Sequence, residues 1–118
     1  MQISWKGQAC FHIIIQRSKQ ESVKILLDPF DPSIGLKMPL LEADIVLSTH
    51  DHYDHNNIQA VKPTLATGGN PFVIAGPGEY AIKDVFVRGI ASWHDDVGGK
   101  ERGQNTIYII EGEGMRVC

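Results

Sequence analysis

Residues 43–57 read "ADIVLSTHDHYDHNN", an apolar run from Ala43 to Ser48 that leads directly into His50, His52, Asp54 and His55. The run has the length and aliphatic content of a buried strand. If that strand continues to His52, alternation sends the His50 and His52 side chains to one side, where they can grip one ion together. Asp54 and His55 follow where the backbone must leave the strand, and can turn toward a second ion nearby. Neutral imidazole nitrogen and carboxylate oxygen suit zinc, and also manganese or iron. Single loop histidines are common on surfaces. A group of ligand-type side chains this dense, directly behind a buried strand, reads as a metal site instead.

The rest of the chain limits what that site can belong to. A length of 118 residues allows one domain with one core, and 42% hydrophobic with 21% charged residues is the composition of a folded globular protein. A formal charge of -3 without a basic cluster gives no attraction to nucleic acid or anionic lipid. The start, "MQISWKGQACFHIII", lacks the pattern of a secretory signal, and no apolar run approaches the ~18 residues of a membrane span. These features predict a cytoplasmic protein acting on a small molecule. Cys10, in an apolar strand pattern, reads as a buried small hydrophobe, and Cys118 makes no metal-type pair with it.

Hydrophobicity alternates mostly with period two, punctuated by glycine and proline, which predicts a β-rich α+β fold. Strands are expected over residues 1–6, 9–17, 22–28, 43–49, 71–75, 84–92, 105–111 and 114–118. Segment 28–43 carries three prolines and reads as a loop across one end of a sheet. Helix is expected only as a turn or two around 54–62, with Asn56 or Asn57 as its cap and Pro63 as its stop. "TGGN" at 67–70 and "GPGEY" at 76–80 read as turns, and "GGKERGQNT" at 98–106 as a flexible loop or lid.

Several stretches together carry a family resemblance. "HDHYDH" at 50–55 fits H-x-H-x-D-H, the motif of the metallo-β-lactamase fold superfamily. "GQACFHI", "ILLDPF", "PGEY" and "VFVRGI" resemble its lactonase-like branch of uncharacterised metal-dependent hydrolases. The resemblance implies an αββα sandwich, two β-sheets face to face with helices outside. It implies that His50, His52 and His94 hold a first metal, that Asp54 and His55 belong to a second, and that Asp28 steadies the metal loop by hydrogen bonds. It also implies a longer domain, with a "G-D-x-G" aspartate bridging both metals and a further histidine after the strand "MRVC". Neither occurs in this sequence, so residues 1–118 are expected to be the N-terminal half of such a domain.

Two classes of function follow. The first is a zinc hydrolase, with manganese or iron as alternatives, that attacks an ester, lactone or amide through a metal-bound hydroxide oriented by the catalytic Asp54. The superfamily uses the same cage for phosphodiesters, which gives a phosphodiesterase as the further alternative. A complete domain would hold two ions, and residues 1–118 one or none. The second class is an inactive fragment that binds one metal or packs on a partner, either a second copy or the missing C-terminal half. Apolar residues at consecutive positions in "FHIII", "VKILL" and "NTIYII" mark strands buried on both faces, so a covering sheet is expected from beyond Cys118. His12 is expected to be a strand residue with a satisfied ring, Tyr53 to line a pocket or pack, and Trp5 and Trp93 to pack in the core or at its rim.

Overall fold

The computed structural model describes residues 1–118. Strands β1 (Gln2–Gly7), β2 (Cys10–Gln16) and β3 (Ser22–Leu27) form an antiparallel meander, and β5 (Ile45–Leu47) and β7 (Phe72–Ile74) then join parallel, giving the sheet order β1-β2-β3-β5-β7. Two short strands, β4 (Glu42–Ala43) and β6 (Lys62–Pro63), pair in parallel beside it. Strands β8 (Gly78–Ile82), β9 (Val85–Trp93), β10 (Gln104–Gly112) and β11 (Met115–Val117) make a second, antiparallel sheet in the order β11-β10-β9-β8.

The two sheets pack face to face. Ile13, Ile15, Val23, Ile25, Ile45, Leu47 and Ile74 of the first sheet meet Val85, Val87, Tyr108 and Ile110 of the second in one buried cluster. The covering sheet expected from beyond Cys118 is therefore present within the chain. Its strand β8 lay hidden in "GPGEY", which is strand from Gly78 onward rather than a turn. Local sequence concealed it because Gly78–Ile82 is a short edge strand that opens on glycine directly after Gly76 and Pro77, and its order comes from pairing with β9 across Gly78↔Gly89 and Ile82↔Val85.

The other face of the first sheet buries Cys10, Leu26, Phe30, Ala43, Val46 and Val61 beneath Ile34, Met38, Leu41 and Ile58. Loop 28–43 thus covers this face. Helix is scarcer than expected. Residues 54–62 contain only a 3-10 turn, Ile58–Ala60, and Asn57 does not cap it, because its side-chain amide donates to the Phe30 carbonyl oxygen at 3.1 Å. Asn56 instead donates to Asp51 Oδ1 at 2.7 Å. No helix is long and apolar enough to cross a membrane.

At the far end of the parallel strands, buried Asp44 accepts from the Lys24 amide (2.8 Å), Thr64 Oγ1 (2.5 Å) and Lys83 Nζ (2.8 Å), which ties β5 to both sheets. A different constraint acts at Gly89 of β9. A Cβ there would lie 2.8 Å from the Gly76 carbonyl oxygen and 3.0 Å from Pro77 Cα, so the segment after β7 rests directly on the second sheet. Gly89→Ala is expected to destabilise the chain by about 1–3 kcal/mol, because backbone rather than a movable side chain must give way. Urea denaturation measures the loss, and an unchanged midpoint would mean that 75–77 does not rest on β9.

Candidate metal centre

The site forms where the parallel strands end, the usual location for ligands in sheets with parallel strands. Strand β5 stops at Leu47, earlier than the sequence suggested, so His50 and His52 are placed by a tight turn rather than by strand alternation. The turn is closed by His52 N–H donating to the His50 carbonyl oxygen (3.1 Å) and His55 N–H donating to that of His52 (2.8 Å). Local sequence hides this because partners distant in sequence terminate the strand. Ser48 N–H reaches the Ile74 carbonyl oxygen (3.0 Å), and the Thr49 carbonyl oxygen accepts from Thr106 N–H of β10 (2.8 Å). The Tyr108 hydroxyl donates to the Ser48 carbonyl oxygen (3.0 Å) and accepts from Gly76 N–H (3.0 Å).

Asp28, only 3% exposed, sits just after β3 with a left-handed φ of 48°. Its Oδ1 accepts from Thr49 N–H (2.7 Å), and its Oδ2 from Thr49 Oγ1 (2.8 Å) and His55 Nδ1 (3.0 Å). Burial pushes its carboxyl above the ordinary range, and the bonds from His55 and Thr49 work against that rise. Because Thr49 Oγ1 gives its proton to Asp28, it accepts from His50 Nδ1 at 2.9 Å. The network therefore protonates Nδ1 of both His50 and His55, leaving each Nε2 with a free lone pair.

His94 arrives from the second sheet at the end of β9, with its N–H bonded to the Gly103 carbonyl oxygen at 3.1 Å. Segment 98–106 does not have the character of a free lid. Asp95 accepts from the backbone N–H groups of Val97 (3.0 Å), Gly99 (2.7 Å), Glu101 (3.1 Å) and Arg102 (2.8 Å), and residues 104–106 already belong to β10. These donors hold the exposed Asp95 carboxyl below its ordinary range, the Arg102 amide most of all.

The imidazole rings converge. Ring centroids of His50 lie 4.6 Å from His52, 4.3 Å from His94 and 4.1 Å from His55. Ligand atoms of His50, His52 and His94 lie within 4.8 Å of one another, as do those of His50, Asp54 and His55. A tetrahedral ion with bonds near 2.0–2.1 Å needs ligand atoms roughly 3.3 Å apart, within reach of small ring rotations. Buried His50 Nε2 and His94 Nδ1 have no hydrogen-bond partner, the condition of ligand nitrogens aimed at a cation. His50 is held down to a pKa of about 4, first by burial and then by His55, His94 and His52, so its ring is neutral at pH 7. The residues present fit a divalent metal.

One contributor has no signal in the sequence pattern. Gln8, in the β1–β2 turn with φ 50°, donates from Nε2 to Asp54 Oδ2 at 3.0 Å, and its carbonyl oxygen accepts from Trp5 Nε1 at 2.8 Å. Asp54 Oδ2 also lies 3.4 Å from His55 Nε2. Other expectations are corrected. Of the two places expected for Trp5 and Trp93, core or rim, the core is excluded: they are 68% and 55% exposed, on strand ends that border the site. His12 does not have a satisfied ring, since its Nε2 is buried without a partner on the sheet face beneath loop 28–43.

Two β-sheets packed face to face, with a histidine and aspartate cluster at one end, make a metallo-β-lactamase-type sandwich, and a solved structure of that superfamily superposes on it. The crystal structure of a candidate zinc-dependent hydrolase of the metallo-β-lactamase superfamily from Thermotoga maritima aligns with a TM-score of 0.69 and 34% identity, over 98% of this chain and 46% of that one. The fold alone is shared with a candidate metal-dependent hydrolase from Parabacteroides distasonis, with a TM-score of 0.62 and 19% identity over 97% of this chain and 57% of that one. The model of the beta-lactamase superfamily domain matches residues 2–118, and the chain belongs to that family. A metal-dependent hydrolase of Thermoplasma volcanium is 30% identical over 99% of this chain and 45% of its own length. One from Thermococcus onnurineus is 29% identical over 99% of this chain and 59% of its own. The chain spans about half the length of these curated relatives.

Two predictions follow from the geometry. Asp28→Ala leaves Thr49 and His55 without their acceptor, and metal affinity should fall about 10–100-fold in a competition titration with a chromophoric chelator. Undiminished affinity would show that Asp28 does not organise the ligands. The second concerns pH. His50 has a native pKa of about 4, below its ordinary 6.5, so the unfolded chain takes up a proton that the native chain refuses. The stability of metal-free protein should fall as pH drops from 6.5 toward 4, and His50→Asn should flatten that dependence in thermal melts.

Proposed function

We propose that the chain carries the metal-binding part of a zinc hydrolase acting on an ester, lactone or amide. The observation that carries this reading is the convergence of His50, His52 and His94 from two different sheets, with unpartnered nitrogens buried between them. The metal-dependent relatives support it. Three imidazoles leave one position of a tetrahedral ion open, the arrangement of catalytic rather than structural zinc. Bound there, the ion supplies Lewis acidity toward a water and a carbonyl oxygen.

The chain's own residues do the rest. His50 offers Nε2 because Thr49 Oγ1 holds its Nδ1 proton. Asp54 Oδ2 accepts from Gln8 Nε2, so Oδ1 is free to orient a water and take its proton. Asp54 and His55, with His50 beside them, form the second ligand group. Residues completing that group in the roughly twofold longer relatives would raise its affinity, and the activity proposed is that of such a complete domain.

His52→Ala should abolish most bound zinc, whereas His12→Ala, altering a histidine on the opposite sheet face, should leave it unchanged. Elemental analysis after desalting decides between them. Equal metal content in the two variants would remove the trihistidine assignment.

A further inference from the structure

Beside the metal ligands lies a cavity of about 390 Å³ that shares His50 and His52 with the site. Its opposite wall is Ala75, Gly76 and Pro77, the segment that Gly89 and Tyr108 hold in place. Among its lining residues only Ala75 and Pro77 have apolar side chains. The charged groups on it are Asp51 and Arg102. Asp51 is already engaged, accepting from Asn56 Nδ2 at 2.7 Å.

Arg102 differs from the other arginines of the chain. Arg17 pairs with Glu21 and Asp84, Arg88 with Glu79, and Arg116 with Glu111, while Arg102 has no carboxylate within ion-pair distance. Its backbone is nevertheless fixed, because its N–H donates to Asp95 Oδ2 at 2.8 Å and the next residue bonds the His94 amide. An arginine on an anchored backbone, without an ion-pair partner and among the residues that line a cavity beside a cation site, can supply a charge-assisted donor to an anion there.

We propose that Arg102 is the specificity-determining residue of this cavity and binds an anionic oxygen group of the substrate, a carboxylate or a phosphoryl group, while the scissile bond lies toward His50 and His52. The substrate class is thus an anionic small molecule. The assignment rests on the hydrolase reading for the chemistry, but not for the anion site itself.

The test titrates inorganic phosphate and, separately, acetate into the full chain, with and without zinc, following the backbone amide resonances of Gly76, Gly103 and Gln104. Saturable shifts are expected for at least one anion in both forms. Arg102→Gln should weaken binding by about tenfold or more, as expected for loss of a charge-assisted pair, and Arg102→Lys by less. Arg88→Gln, on the outer face of the second sheet, should leave it unchanged. A phosphate response identifies the phosphoryl group and an acetate response the carboxylate. No saturable response to either, or equal affinity in Arg102→Gln, overturns the proposal. Failure of zinc to bind would remove the hydrolase reading alone, since the metal-free titration still reports on Arg102.

Discussion

The arrangement of the site depends on one buried carboxylate. Asp28 is removed from water, a costly position for a charge, and three donors offset that cost: Thr49 N–H, Thr49 Oγ1 and His55 Nδ1. Each of those bonds also does something to a ligand. The bond to the Thr49 amide fixes the first residue of the turn, the bond to its hydroxyl sets the proton of His50, and the bond to His55 sets the proton of that ring. Two imidazoles thereby share one tautomer, each presenting Nε2, under control of a group that is not itself a ligand. The left-handed backbone at Asp28 is strained for a residue with a Cβ, and such strain persists where surrounding bonds over-determine it.

The site joins two layers of the fold. His50, His52, Asp54 and His55 come from the first sheet and His94 from the second, so the ligands are in register only if the sheets are. Tyr108 enforces that register, because its ring is part of the inter-sheet core while its hydroxyl bonds backbone at the ends of both β5 and β7. Gly89 does so by omission, leaving room for the backbone of residues 76 and 77 against β9. Packing of the sandwich and geometry of the site are therefore one problem, coupled through the carboxyl ends of short parallel strands.

Much of this was legible in the sequence, for physical reasons that differ between elements. The aliphatic runs around Ile13, Ile25 and Val46 declare strands of a sheet covered on both faces, whereas the run ending at Ile110, expected to be the same, belongs to a sheet covered on one face only, where Ile107 stays exposed. The ligand residues His50, His52, Asp54 and His55 are legible as a group because their density behind a strand has few other uses. Strand β8 was not, since its order is supplied by β9 and the Gly-Pro-Gly that leads into it favours a turn. The early end of β5 was also hidden, because bonds from residues 74, 106 and 108 terminate it. Likewise Asp95 organises the loop behind His94 entirely through backbone donors, which carry no sequence identity. Gln8 reaches Asp54 across 46 positions, a distance at which local pattern says nothing.

The placement of the two tryptophans has an optical consequence. Neither indole belongs to the inter-sheet core, which is aliphatic apart from Tyr108. Trp5 donates to the carbonyl oxygen of the residue that holds Asp54, and Trp93 immediately precedes His94, with Gly99 folded against its ring. The intrinsic fluorophores of the chain thus border the ligand cluster on both sides, one from each sheet, and remain open to solvent. Their emission reports on the ends of the strands that carry the site, and only indirectly on the packing between the sheets.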